Sequence, residues 1–191
     1  NNPIDLFKKW FSKAEENEIN DPNAVAVATS NKNNQPNVRM VLLKGLSDKG
    51  FVFYTNFNSR KGSELKENQK ASMCFHWKSL RRQVRVIGKV EEVSSKEADD
   101  YFNTRPYKNR IGAWASSQSK VLDKRETFLK NIKEFENKFP DQANVPRPPH
   151  WSGWRLLPDE IEFWLDGDGR IHERLNYKKK SSKWEKELLY P

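Results

Sequence analysis

The sequence predicts an α+β domain built on an antiparallel barrel or a strongly bent sheet, with helices at its periphery. Three observations lead there. Seven or eight short runs have the β-branched and aromatic composition of strands. Turn-forming clusters such as NKNNQPN (31–37) and SDKG (47–50) separate neighbouring runs, as in a meander. Helical patterns are inserted between groups of strands.

In chain order, Asn2 stands as N-cap and Pro3 as first residue of an opening helix whose Ile4, Phe7, Trp10, Phe11 and Ala14 fall at helical spacing. AVAVATS (24–30), VRMVLLKG (38–45) and FVFYT (51–55) follow as strands. SRKGSELKEN (59–68) reads as a short helix, after which ASMCFHW (71–77) and RQVRVIGKVEEV (82–93) resume the sheet. SSKE (94–97) fits a capping box opening a helix that runs to Arg105, before Pro106 stops it. KRETFLKNIKEFENKF (124–139) carries Phe128, Ile132, Phe135 and Phe139 on one stripe and ends at Pro140. NVPRPPH is an extended linker. The tail returns to strands at WSGWRLL (151–157), EIEFWL (160–165), RIHERLNY (170–177) and KWEKELLY (183–190), the last two joined by a basic turn. There is no internal repeat.

A chain of 191 residues is one domain, residues 1–191, able to bury a substantial core. It is 35% hydrophobic and 32% charged, a balance that can mean disorder, but 7 Trp, 11 Phe and 5 Tyr are too many large rings for a solvated coil. Modest aliphatic content with many rings calls for a partner surface, and a homodimer is the expectation. A net charge of +9 favours an anionic partner: nucleic acid, acidic lipid or a phosphorylated small molecule, against solubility alone as the plain alternative. Cys74 lies in an apolar run as a buried thiol, which suits a reducing cytosol and a cytoplasmic location. No stretch approaches membrane-spanning length, and NNPIDLFKKWF is not a signal peptide. Because position 1 is not Met, a native leader is expected before it. His76, His150 and His172 lack metal-ligand spacing, so no metal site is expected. With no serine elbow and no activated cysteine, an enzyme of this sequence needs a cofactor for its hard chemistry.

Basic groups recur where strands meet turns. NSRKGSEL follows a strand and opens a helix, where backbone N–H groups attract anions, Gly62 permits close approach, and Arg60 and Lys61 add charge: a phosphate cradle or an ordinary basic turn. RQVRV puts Gln83 and Arg85 on one strand face, and RMVLLK puts Arg39, Val41 and Leu43 opposite Met40, Leu42 and Lys44. A salt bridge would answer these charges, but the nearest carboxylates in sequence fall in turns and helices, which favours an external anion. RIHERL, read as a strand, lines Arg170, His172 and Arg174 on one face, roughly 7 Å apart, a row that water solvates or an anion completes.

Taken together, RMVLLKG, FVFYTN, SRKG, RQVRVIG, YFNTRP, IGAWAS with QS, PRPPHW, EFW and RIHER resemble, in order and spacing, the pyridoxine/pyridoxamine 5′-phosphate oxidases. The resemblance covers nearly the whole chain. It implies an FMN-binding split β-barrel homodimer with peripheral helices, FMN in the groove between subunits, and the C-terminal strands (about 151–191) completing the active site. It also implies oxidation of pyridoxine 5′-phosphate or pyridoxamine 5′-phosphate to pyridoxal 5′-phosphate by hydride transfer to FMN, with O2 reoxidising the flavin to H2O2.

Carried over position by position, the resemblance assigns FMN contacts to Arg39, Met40, Val41, Leu42, Leu43 and Lys44, to Tyr54 and Thr55, and to the cradle Arg60 and Lys61. Further FMN contacts fall on Gln83, Gln118, Ser119, Trp164 and Arg174. Substrate contacts fall on Lys44, Tyr101, Arg105 and Asn109, and on Arg170, Ile171 and His172, with Arg170 and His172 in catalytic roles. Arg170 would clamp and polarise the substrate; His172 would orient its oxygen or take its proton. A flavin phosphate is a dianion, so arginines and a lysine around it are matched donors. The sequence departs from the family at Asn109, where Ser is common, at Leu165, where Gln is usual, and at Glu173, where Asp is usual. Two other readings compete: a split-barrel flavoprotein acting on another substrate, and a nucleic-acid-binding module. The first would keep Arg60 and Lys61 but lose Tyr101, Arg105, Arg170 and His172, all of which are present. Against the second, the rings fall in periodic apolar runs and no RNA-binding signature is seen, so neither nucleic acid nor membrane is an expected partner.

Overall fold

A computed structural model describes residues 2–191. Helix α1 (Pro3–Asn17) starts as expected, with Asn2 Oδ1 accepting from the Ile4 N–H at 3.0 Å. Its apolar face plugs the sheet: Phe7 meets Phe51 and Phe75 edge-on at centroid distances of 4.9 and 5.0 Å, and Trp10 meets Phe163 at 5.2 Å. Each such fully buried ring stabilises the fold by roughly 1.5–3 kcal/mol.

The strands are β1 (Ala24–Ser30), β2 (Pro36–Leu42), β3 (Gly45–Ser47), β4 (Gly50–Asn56), β5 (Lys70–Trp77), β6 (Arg82–Glu92), β7 (Trp151–Leu165), β8 (Glu173–Lys180) and β9 (Lys183–Leu189). They form one curled antiparallel sheet in the order β2-β1-β5-β6-β7-β4-β3, with β8 added to β7 and β9 to β8. Alternation fixes the faces: Val25, Val27, Val84, Val86 and Phe75 point into the core, whereas Val38, Met40, Leu42 and Ile87 stand exposed on the other side. Among the described residues no helix is long and apolar enough to cross a membrane, and no cluster of His, Cys, Asp and Glu has the makings of a metal site.

Three sequence expectations need correction. WSGWRLL and EIEFWL are one strand, β7. Pro158 and Asp159 look like a break, but Pro158 pairs with Gly88, and the ladder shifts between Ile87 and Gly88 to absorb the extra residue Asp159. A Cβ on Gly88 would sit 1.9 Å from the Leu157 carbonyl oxygen, so only glycine allows this bulge. RIHERLNY is not a strand over its whole length. Asp168–Arg170 form a short 3-10 turn, with Gly169 and Arg170 at φ 62° and 66°, and pairing begins at Glu173. Arg170 and His172 therefore do not share a strand row with Arg174. Finally, Pro106 stops one helix only to begin another.

The helices after β4 are α2 (Arg60–Glu67), α3 (Ser95–Thr104), α4 (Tyr107–Ala115) and α5 (Arg125–Lys138). The SSKE box closes by half: Ser94 Oγ accepts from the Glu97 N–H at 3.2 Å, but the Glu97 carboxylate turns to Arg155 of β7, at 2.7 Å from each oxygen, and so docks α3 on the sheet. Helix α5 lays its Phe135 and Phe139 against Trp114 of α4, at 5.5 and 5.2 Å.

Candidate active site

The N-terminus of α2, the end of β4, strand β2, helix α4 and the loop after it enclose a cavity of about 820 Å3. It is a volume suited to a small organic ligand. Strand β4 delivers Tyr54 and Thr55, then turns through Asn56–Ser59 into α2, where Ser59 Oγ caps the Gly62 N–H at 3.3 Å. Gly62 is needed, but for packing: its Cβ position lies 2.4 Å from the Phe57 carbonyl oxygen. The close approach read from the sequence is that of the chain itself.

Lys61 points into this cavity and is 7% exposed. Its Nζ donates to Thr55 Oγ1 at 2.9 Å, Gln118 Oε1 at 3.3 Å and Ser59 Oγ at 3.4 Å, and no described carboxylate lies within ion-pair distance. Burial, with Arg39 nearby, pulls its pKa down to about 8. A buried ammonium held only by neutral oxygens is an incomplete arrangement that an anion would finish. Arg39 and Arg60 differ. Both bind Glu64 of α2, at 3.2 and 3.1 Å, and Glu64 also accepts from Thr29 and Asn37. Burial alone would raise the Glu64 carboxyl, but the bonds from Thr29, Arg60, Asn37 and Arg39 outweigh it and hold it below its usual range.

Arg105, at the end of α3, also lines the cavity without a carboxylate. Its guanidinium lies 4.7 Å from the Trp151 ring and 5.6 Å from Phe102, and its Nη1 is buried with no hydrogen-bond partner. Burial lowers its pKa. Beside it, Tyr54 stacks on Tyr101 at 4.1 Å and on Trp151 at 5.3 Å, nearly parallel to both. Burial first, and Glu97 second, push the Tyr54 hydroxyl up to about 12. Asn109 and Ser119 also line the cavity.

Most of the expected cofactor and substrate set thus converges here: Arg39, Met40, Val41, Tyr54, Thr55, Arg60, Lys61, Gln118 and Ser119, with Arg105 and Asn109. Tyr101 joins through its stack on Tyr54. Leu42, Leu43 and Lys44 do not line it; Leu43 is in the core, and the Lys44 N–H bonds the Val52 carbonyl.

Gln83, Trp164 and Arg174 form a separate group across β6, β7 and β8, in register as cross-strand neighbours. Glu162, 2% exposed, sits among them and takes both Arg85 and Arg174, the latter at 2.8 Å. Burial would raise this carboxyl, but its bonds from Arg174 and Arg85 prevail and keep it low. The expectation that an external anion answers Arg85 is therefore corrected: a strand carboxylate does, brought across by pairing of β6 with β7, and the same carboxylate also holds Arg174. Glu64 plays the same part for Arg39 and Arg60. In the turn before β8, Arg170 and Ile171 are exposed, and His172 packs on Trp164 at 4.6 Å with its Nδ1 3.0 Å from Asp166 Oδ1. Sequence reasoning missed Glu64, Glu162, Asp166 and the role of Trp151. Only EFW, among the resembling segments, held a trace of Glu162. Cys74 is half-buried, and burial raises its thiol pKa.

Known proteins resemble the chain over nearly its whole length. Residues 11–139 match the family described as pyridoxamine 5′-phosphate oxidase, and residues 151–191 match the pyridoxine 5′-phosphate oxidase C-terminal dimerisation region. A pyridoxine/pyridoxamine 5′-phosphate oxidase of Pelagibacter ubique is 59% identical over 190 residues, covering 99% of this chain and 91% of the relative. One from Rhizobium etli is 54% identical, covering 99% and 92%. Among solved structures, PhzG from Burkholderia lata, in complex with tetrahydrophenazine-1-carboxylic acid, superposes with a TM-score of 0.93 at 31% identity, covering 99% of this chain and 92% of that one. A pyridoxamine 5′-phosphate oxidase-related, FMN-binding protein from Nostoc punctiforme shares the fold, with a TM-score of 0.78 at 17% identity and 97% of both chains covered. Family matches that span both the cavity-bearing region and the tail, together with relatives identical at more than half of their aligned positions, place this chain in the pyridoxine/pyridoxamine 5′-phosphate oxidase family of oxidoreductases.

Proposed function

We propose that the protein oxidises pyridoxine 5′-phosphate or pyridoxamine 5′-phosphate to pyridoxal 5′-phosphate, with FMN as its cofactor and O2 as the final electron acceptor, giving H2O2. The observation that carries this reading is the pair Lys61 and Arg105: a buried ammonium and a half-buried guanidinium with a buried, unpartnered Nη1, neither paired with a carboxylate, lining one cavity. Two such cations suit two phosphate esters. Lys61, with Thr55, Gln118 and the α2 N-terminus around it, has the donors for the flavin phosphate. Arg105, braced on Trp151, has an idle N–H for the substrate phosphate.

Bound FMN would supply the two-electron chemistry, taking a hydride from the substrate carbon that bears the alcohol or amine. The chain's own task is to hold the substrate in reach, and such positioning contributes several kcal/mol to rate. The flat wall of Tyr54, Tyr101 and Trp151 limits where a ring can lie. Arg170 lies exposed in the turn before β8, at φ 66°, with its guanidinium in no ion pair among the described residues, which leaves it available to a substrate.

The active form is a homodimer with FMN between subunits. Gln83, Trp164 and Arg174 stand apart from the cavity within one chain, so the full cofactor set needs a second copy. Val38, Met40, Leu42 and Ile87, exposed on the outer sheet face, offer apolar area for it.

The test is direct. Purified protein should be yellow, release FMN on denaturation, and form pyridoxal 5′-phosphate and peroxide from pyridoxine 5′-phosphate in air. Protein that takes up no FMN refutes the flavin reading. Bound FMN without oxidation of either vitamer phosphate would instead point to another substrate. Arg170→Ala should retain FMN while turnover falls.

A further inference from the structure

Asp166 has no part in the cavity or in the buried ion pairs, yet it is tied down on several sides. It directly follows β7, its backbone N–H donates to the Arg81 carbonyl at 3.1 Å, and its carboxylate pairs with the Arg81 guanidinium. The same carboxylate places Oδ1 3.0 Å from Nδ1 of His172. His172 is held on its other side by Trp164, with ring centroids 4.6 Å apart. The imidazole is thus fixed in orientation by one ring and one carboxylate.

A second group competes for the same nitrogen. The Gly167 N–H lies 3.3 Å from His172 Nδ1 and would need that nitrogen to be an acceptor. Asp166 needs it to be a donor. One neutral nitrogen cannot be both. The carboxylate is nearer and carries charge, and a charge-assisted hydrogen bond is roughly twice as strong as a neutral one.

We propose that Asp166 is a positioning residue that selects the Nδ1–H tautomer of His172, leaving Nε2 as a lone-pair acceptor for the hydroxyl or amine hydrogen of the substrate. This rests on the reading above that His172 faces the substrate. Without Asp166, Gly167 is the remaining partner and favours the opposite tautomer, with a hydrogen on Nε2 and no acceptor there.

The experiment uses the FMN-loaded protein with 15N-labelled histidine rings at mildly alkaline pH. Loss of one ring signal set in His172→Asn assigns His172 apart from His76 and His150. The unaltered protein should show His172 protonated at Nδ1 alone, and Asp166→Ala should move it toward protonation at Nε2. Turnover of pyridoxine 5′-phosphate should fall by about ten- to a hundredfold in kcat, a part of the roughly 10²–10⁴-fold that a well-placed acid–base group contributes, with KM changed by less than about threefold. Finding Nε2–H or a doubly protonated ring in the unaltered protein overturns the proposal, and needs no variant to fold. Turnover unchanged in Asp166→Ala but lost in His172→Asn overturns the role of Asp166 alone. Turnover unchanged in both overturns the substrate-facing placement of His172, and the proposal with it.

Discussion

Lys61 and Glu64 lie one helical turn apart on α2, both almost fully buried, yet they do not pair: Glu64 is saturated by Arg39, Arg60, Thr29 and Asn37, and Lys61 is left to neutral oxygens. The carboxylate ties down the two arginines that frame the cavity, cancelling one of their two charges, and leaves Lys61 with no counterion among the described residues. A phosphate entering here finds the Lys61 charge unpaired in a largely preformed ring of donors.

Replacing that charge should weaken cofactor binding far more than folding. Lys61→Met should raise the FMN dissociation constant by about ten- to a hundredfold, the equivalent of one charged hydrogen-bonding group at ~1.5–3 kcal/mol, measured by quenching of flavin fluorescence. The pH dependence has a definite sign. Lys61 titrates near 8 in the fold against 10.5 unfolded, so between those values the unfolded chain holds the extra proton and stability rises with pH. The melting temperature of the flavin-free protein, relative to Lys61→Met, should climb across that window. A flat difference would mean that the ammonium is well solvated.

Glu64→Gln should be costly to folding because it strips Arg39 of its buried partner. A loss of roughly 2–3 kcal/mol in urea denaturation is expected, below the usual 3–5 for a buried pair because Arg60 stays mostly in water. The folded Glu64 pKa lies below its unfolded value, so its contribution is present above about pH 4.5 and fades as pH falls through the lower folded value. The variant should therefore lose less stability than the parent on acidification.

Arg105→Ala should separate substrate from cofactor. KM for pyridoxine 5′-phosphate should rise by about tenfold or more while FMN stays bound, since one charged contact to a phosphate is worth ~1.5–3 kcal/mol. Steady-state kinetics on flavin-saturated protein decide it; an unchanged KM would remove Arg105 from the substrate site.

Gly62→Ala should destabilise the protein by roughly 2–4 kcal/mol, as backbone clashes do when nothing soft can yield, because the new Cβ meets the Phe57 carbonyl oxygen at 2.4 Å. Thermal unfolding of the flavin-free protein checks this, and a neutral outcome would show that the β4–α2 turn can relax.

The order of elements was legible because hydrophobic period is local: Phe7 and Trp10 at helical spacing, Val84 and Val86 at strand spacing, Ser94 before its helix. The cavity-lining cations Arg60 and Lys61 were legible for the same reason, since they follow a strand and open a helix within a few positions. What escaped depends on distance. Glu162 answers Arg85 from 77 residues away, and only the pairing of β6 with β7 reveals it. Helix α4 escaped because YKNRIGAWA follows a proline, contains a glycine and has a weak apolar stripe; it buries Arg110 and Ile111 instead, and Arg110 bonds the Gln142 and Ala143 carbonyls. The turn at Asp168–Arg170 hid inside an apparent alternation of basic and apolar residues.

Strand β7 carries Trp151 at one end and Glu162 and Trp164 at the other, and its bulge at Asp159 sets the count between them. The extra residue resets the alternation, so that Leu156 before it and Ile161 and Phe163 after it all reach the core. A one-residue insertion between Glu160 and Glu162, with no second bulge to absorb it, would turn the positions beyond it inside out, Glu162 toward the core and Phe163 toward the outer surface. Natural variation in this protein should therefore accept exchanges along β7, and even loss of the bulge residue, but reject a change in length between the bulge and Glu162.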